Sequence, residues 1–103
     1  MKVYIAGKIT GEPKYYEHFE RAMLRLRFAH QTVLTPTILP DGLEHAEYMH
    51  ICLAMIDIAD AVYFLDNWTE SKGAREEFRY ANHTGKHIWY EKEPTPEAVE
   101  LWR

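Results

Sequence analysis

The chain is sparing in several things, and each scarcity closes off a class of protein. It has a single cysteine, Cys52, so no disulfide forms within it and the expected setting is a reducing cytoplasm. It has no apolar run approaching the roughly 18 residues that a membrane span needs. The opening "MKVYIAGKITG" is basic and then apolar for only four residues before glycine, too few for the apolar region of a signal peptide. Basic residues are outnumbered, 12 Lys and Arg against 16 Asp and Glu, for a net charge of −4. No broad basic face is therefore expected to neutralise a nucleic-acid polymer, although a small nucleotide needs only a few local donors. Glycine and proline number five each, without clustering into a linker, and no repeat or low-complexity tract interrupts the sequence. One domain over 1–103 is the expectation, soluble and intracellular.

What is present is apolar material in two kinds of pattern. Hydrophobic residues make up 47% of 103 residues, enough for a core and too many for a disordered segment. "KVYIA" at 2–6, "TVLTP" at 32–36, "AVYFL" at 61–65 and "KHIWY" at 86–90 read as strands, the third apolar throughout and so buried on both faces. Between them the spacing is helical. Tyr15, Phe19, Ala22, Met23 and Leu26 recur every three or four residues from about Lys14 to Ala29. Ala46, Met49, Leu53 and Ile56 form a second stripe. Ser71 to Thr84 forms a third helix, closed by Gly85, and Thr95-Pro96 opens a short last one. The order βαβαβαβα predicts an α/β three-layer sandwich, a parallel sheet of about four strands with helices on both faces, flavodoxin-like or Rossmann-like.

In open sheets of this kind ligands bind beyond the carboxyl ends of the strands. Three loops meet there: "GKITG" after the first strand, "PTILPDG" after the second and "DNWTESKG" after the third. Just past the last of them stand two adjacent glutamates. At about 100° per residue, with Ala74 at zero, Ala81 falls near −20° and Phe78 near +40°, marking the packed stripe. Glu76 falls near 200° and is assigned to solvent. Glu77, near −60°, lies at the shoulder of the stripe, aimed either at the seam between helix and sheet or at an ion pair with Arg75 or Arg79.

"VYIAG" followed by "ADAVYFLDNWTESKGAREEFRYANHTGKHIWY" resembles the nucleoside 2-deoxyribosyltransferase superfamily, and most closely its small, often phage-encoded branch. The likeness covers Met1 to about Tyr90. It is firmest in Ser71-x-Gly73-x-x-x-Glu77-x-x-x-Ala81-x-x-x-Gly85-Lys86 and in Tyr4 and Gly7. The resemblance implies an enzyme of the N-glycosidic bond of deoxynucleosides or their 5′-monophosphates that needs no cofactor. It implies Glu77 as the nucleophile and Ser71 as a holder of the 5′-phosphate. It also implies a homo-dimer or higher oligomer in which neighbouring subunits complete the pocket.

The residue types suit that chemistry. Breaking the bond from deoxyribose to base passes through an oxocarbenium-like state, which a carboxylate opposite the leaving group stabilises or captures as an ester. The leaving base needs a proton from a second acid. Related enzymes carry an aspartate where Ile51 or Cys52 stands here, and Asp57, Asp60, Asp66 or Tyr48 would have to take its place, although Asp60 also reads as an ordinary helix-to-strand turn residue. For a phosphate, the helix start at Ser71–Ala74 offers N–H groups, Ser71 a hydroxyl, Lys8 and Lys72 charge, and Gly7 and Gly11 close backbone approach. Gly73 and Ala74 keep that helix start uncrowded. Tyr4 leads into the first loop and Trp68 lies on the third, each placed to stack on a base or sugar. Six histidines raise the question of a metal, but His45 and His50 fall on different helix faces, His83 and His87 on different elements, and no HExxH or cysteine cluster is present. The expected metal is none. Two alternatives to catalysis remain: a nucleotide-binding module without turnover, and an interaction protein whose loops bind another chain.

Overall fold

A computed structural model describes all residues 1–103 and bears out the expected alternation. The strands are β1 (Lys2–Ala6), β2 (Thr32–Leu34), β3 (Ala61–Phe64) and β4 (His87–Tyr90), and the helices α1 (Tyr15–Phe28), α2 (His45–Ile58), α3 (Lys72–His83) and α4 (Pro96–Trp102). All strands are parallel, in the order β2-β1-β3-β4. The chain leaves β1 towards one edge and β3 towards the other, so the sheet has its topological switch point between them, where crevices form in such folds.

Alternation along the central strands splits the core in two. Val3 and Ile5 of β1, with Ala61 and Tyr63 of β3 and Leu65 just beyond it, face α1, which contributes Phe19, Ala22 and Leu26 at helical spacing. Tyr4, Ala6, Val62 and Phe64 face the other way, against Cys52 and Ile56 of α2 and Ala74, Phe78 and Ala81 of α3. Each fully buried Phe, Ile or Val contributes about 1.5–3 kcal/mol by leaving water, which makes the two clusters the main source of stability. α4 packs on the α3 side through Val99 and Trp102, so α1 covers its face alone. Arg75 and Arg79 hold their guanidinium carbons 4.3 and 5.8 Å from the centre of the Trp102 ring.

Local chemistry sets the ends of the elements. β2 stops at Leu34, two residues short of the expected Pro36, because Thr35 and Pro36 open a single 3-10 turn over Pro36–Ile38. The Thr35 hydroxyl accepts the N–H of Thr37 at 3.3 Å. α2 starts with a capping box between Glu44 and Glu47. Ser71 caps α3 by accepting the Ala74 N–H at 3.1 Å, and Gly85, at φ +71, ends that helix as its position predicts. No helix is long and apolar enough to cross a membrane.

Candidate functional site

The carboxyl edge of the sheet holds a cavity of about 320 Å³. Its floor is the first loop, Gly7, Ile9 and Thr10, and one side is Tyr15 at the start of α1. The chain between β2 and α2 supplies the opposite rim, from Pro36 to Leu43, and His45 and Tyr48 of α2 continue it. The remaining wall is the beginning of α3: Ser71, Gly73, Ala74 and Glu77.

Glu77 is the only charged residue in the buried core, 4% exposed. The Tyr4 hydroxyl, from the middle of β1, donates to its carboxylate in a short hydrogen bond. That bond fixes the side chain between sheet and helix, and neither Arg75 nor Arg79 pairs with it. Burial pushes the Glu77 carboxyl up to about 8, the Tyr4 hydrogen bond pulls it down, and the charge of Glu76 pushes it up again. Tyr4 is itself raised well above the usual phenol range, first by burial and then by Glu77. Cys52 is wholly buried beside the Tyr4 and Tyr48 hydroxyls, its thiol pushed up to about 11 by burial and by Glu77. Tyr48 is raised likewise, chiefly by burial. The result is one deeply placed carboxyl, two phenols and a thiol in mutual contact, with the carboxyl facing open space.

Residues 1–90 match a protein family described as a domain of unknown function (DUF4406). The chain belongs to the DUF4406 family. No curated protein matches it. Every wall of the cavity falls within the matched residues, and only α4 lies beyond them, so the site is carried by the DUF4406 domain itself.

The residues singled out in the sequence divide into three groups in this DUF4406 fold. Glu77, Gly7, Ser71 and Gly73 line the cavity, and Tyr4 stands behind Glu77. Gly7 is required by packing: a side chain there would put its Cβ 2.6 Å from Leu65 Cδ1 and 3.0 Å from Leu65 Cβ. Ser71 serves as the helix cap through its oxygen and keeps its own proton for a ligand. Lys8 and Gly11 stand outside the cavity. The Lys8 ammonium lies 3.6 Å from Glu70, its N–H donates to Asn67 at 3.2 Å, and Gly11 serves a turn at φ +79. Lys72 is exposed and also off the lining, so no lysine or arginine reaches the cavity.

Trp68 belongs to the core. It is 1% exposed, stacked at 4.3 Å from Phe78 and 5.3 Å from Phe64, because the 3-10 turn over Trp68–Glu70 folds the third loop back on the sheet. It is not available to stack on a ligand. Of the acids considered as replacements, Asp57 accepts from the Tyr80 hydroxyl at the far end of α2. Asp60 accepts the Lys2 N–H at 2.8 Å on the amino edge of the sheet, in its expected turn role. Asp66 faces a separate polar recess beside Glu12 and Glu91. Only Tyr48 lines the cavity.

Two lining residues escaped the sequence reading. Tyr15 belongs to the apolar stripe of α1 by spacing, and only its place in the first turn turns it towards the cavity. His45 has no metal-ligand spacing in the sequence, and its Nε2 lies 3.6 Å from Glu76, which reaches across from α3. Glu76 is consequently a half-buried partner of α2 and not a fully solvated residue.

Proposed function

We propose that this domain acts on the N-glycosidic bond of a 2′-deoxynucleoside or its 5′-monophosphate, with Glu77 as nucleophile. The observation that carries the reading is a carboxyl buried to 4% exposure, held by Tyr4 and facing a cavity of about 320 Å³ at the switch point of a parallel sheet. A carboxylate so placed meets the anomeric carbon from the face opposite the base, where it stabilises the oxocarbenium charge and forms a glycosyl ester that water or a second base then resolves. The likeness to the nucleoside 2-deoxyribosyltransferase superfamily selects the same residue. For a 5′-phosphate, the first-turn N–H groups of α3 and the Ser71 hydroxyl are the donors. Assembly into a homo-oligomer that closes the open side of the cavity is part of the same proposal.

Glu77→Gln should abolish base release from a panel of deoxynucleosides and deoxynucleotides, and intact-protein mass spectrometry of the wild type should show a deoxyribosyl adduct on Glu77. An unchanged rate in the variant removes this mechanism. One observation favours a second reading, a nucleotide-binding module without turnover. By the resemblance, Ile51 or Cys52 stands where the related enzymes carry an aspartate, and Cys52 is wholly buried with its thiol pushed up to about 11. That reading predicts a rise in Tm with nucleotides and no product after long incubation.

A further inference from the structure

The cavity has five titratable side chains in its lining: Tyr15, Asp41, His45, Tyr48 and Glu77. Glu77 is committed to the sugar. Tyr15 and Tyr48 are raised above the usual phenol range, chiefly by burial, and serve as neutral hydrogen-bond donors. Asp41 is exposed on its loop, with no hydrogen bond fixing it. His45 is different. It opens α2, its Nε2 faces Glu76 Oε2 at 3.6 Å, and its Cε1 lies 3.9 Å from where a side chain on Gly73 would begin. Gly73 precedes Glu77 by four residues, on the same side of α3, so the imidazole stands about one helical turn, ~5.4 Å along the axis, from the level of the nucleophile. His45 and Glu77 both line the cavity, so a substrate seated there meets the two of them.

We infer that His45, oriented by Glu76, is the proton donor to the leaving base, replacing the carboxylic acid that Cys52 cannot supply; this rests on the glycosidic-bond reading above. Glu76 engages Nε2, which leaves Nδ1 to carry the proton delivered to the base. In the first step the bond from C1′ to the base nitrogen breaks, its electron pair stays with the base, the proton on Nδ1 moves to the base, and a Glu77 oxygen bonds to C1′. In the second, water attacks C1′, the ester pair returns to Glu77, and His45 takes the proton released by the water. Glu76 is a positioning residue. The two adjacent glutamates thus share one reaction from positions about 100° apart around α3, one touching the sugar and the other acting through a histidine.

The test compares two leaving groups on the full chain. One is an unmodified purine deoxynucleoside 5′-monophosphate. The other is 7-methyl-2′-deoxyguanosine 5′-monophosphate, whose cationic base departs neutral without being protonated, measured above its spontaneous loss. His45→Gln should slow the first by about 10²–10⁴-fold and leave the second within a few-fold of wild type. Glu76→Gln should shift the same ratio in the same direction by less, and Glu77→Gln should lose both substrates. Equal loss on both substrates in His45→Gln, or no loss on either, overturns the inference. His45→Asn and a thermal melt of each variant separate misfolding from lost proton transfer. Should the wild type release neither base, the glycosidic-bond reading itself falls, and with it the role given to His45.

Discussion

The two faces of the sheet are cut from the same strands by the same alternation, yet they are built to different ends. The α1 face is filled by Val3, Ile5, Phe19, Ala22 and Leu26, and its one polar tip, the Tyr63 hydroxyl, is met by Arg25 at 3.1 Å. The α2–α3 face begins in the same way, with Val62, Phe64, Ile56 and Phe78, but among them it accepts Tyr4, Cys52 and Glu77. A hydrophobic isostere at position 77 would pack there without desolvating a carboxyl, so retaining Glu77 costs stability. Strain or incomplete solvation kept at one end of an otherwise ordinary core marks where a protein's function has displaced its packing.

That contrast is open to attack from either side. The largest effect expected on stability is on the α1 face, where Phe19→Ala should cost about 3–5 kcal/mol by denaturant titration, through lost transfer energy and the cavity left behind. The geometry of the cavity should survive in whatever fraction remains folded. On the other face the sign reverses. The Glu77 carboxyl is raised from 4.5 to about 8, so the folded state binds its proton more tightly than the unfolded chain. Stability from this group is full below about pH 4.5 and falls as pH rises through about 8. Glu77→Gln removes the ionisation, and should be more stable than wild type by a few kcal/mol at pH 9, with the gap closing at acid pH. If melting curves of the two proteins run parallel across that range, Glu77 is not the desolvated carboxyl described above. For the same reason base release by His45→Gln, which has no proton on that side chain to lose, should increase from pH 6 to pH 9, since the proposed nucleophile must be ionised. The smallest effect lies at the seam of the two faces. Gly7→Ala drives a methyl into Leu65 and should cost about 1–3 kcal/mol by overpacking, with a further loss of ligand binding because the floor of the cavity moves.

Much of the architecture could be read without coordinates because it rests on short-range rules. A fully apolar "AVYFL" reads as a central strand, and Ala61 through Leu65 are all buried. Ser71 and Gly85 bracket α3 through capping chemistry that involves only their own neighbours. Helical phase, which is also local, places Glu77 at the shoulder of the packed stripe and leaves open whether it turns inward or pairs with Arg75 or Arg79. The misplacements share the opposite property. Trp68 sits on a loop by sequence but is carried into the core by a 3-10 turn whose position depends on Phe64, Phe78 and Tyr90. Lys8 has the right charge for an anion, and its charge is taken by Glu70, 62 residues away in the chain. Asp57 and Asp60 look equally able to donate a proton until the sheet puts one at the far end of α2 and the other at the wrong edge. His45 gives no signal at all, since its partner Glu76 lies on another helix.

The sequence by itself determined the order of strands and helices, the ends of α3 and the place of Glu77 at the shoulder of the packed stripe, because periodicity and capping are settled within a few residues of each position. The tertiary structure alone decided that Tyr4 holds that carboxyl, that Trp68 is unavailable to a ligand and that His45 and Glu76 meet above the cavity. Such contacts join residues from β1, α2 and α3, and the distance between elements is fixed by how the whole core packs, which no local pattern encodes.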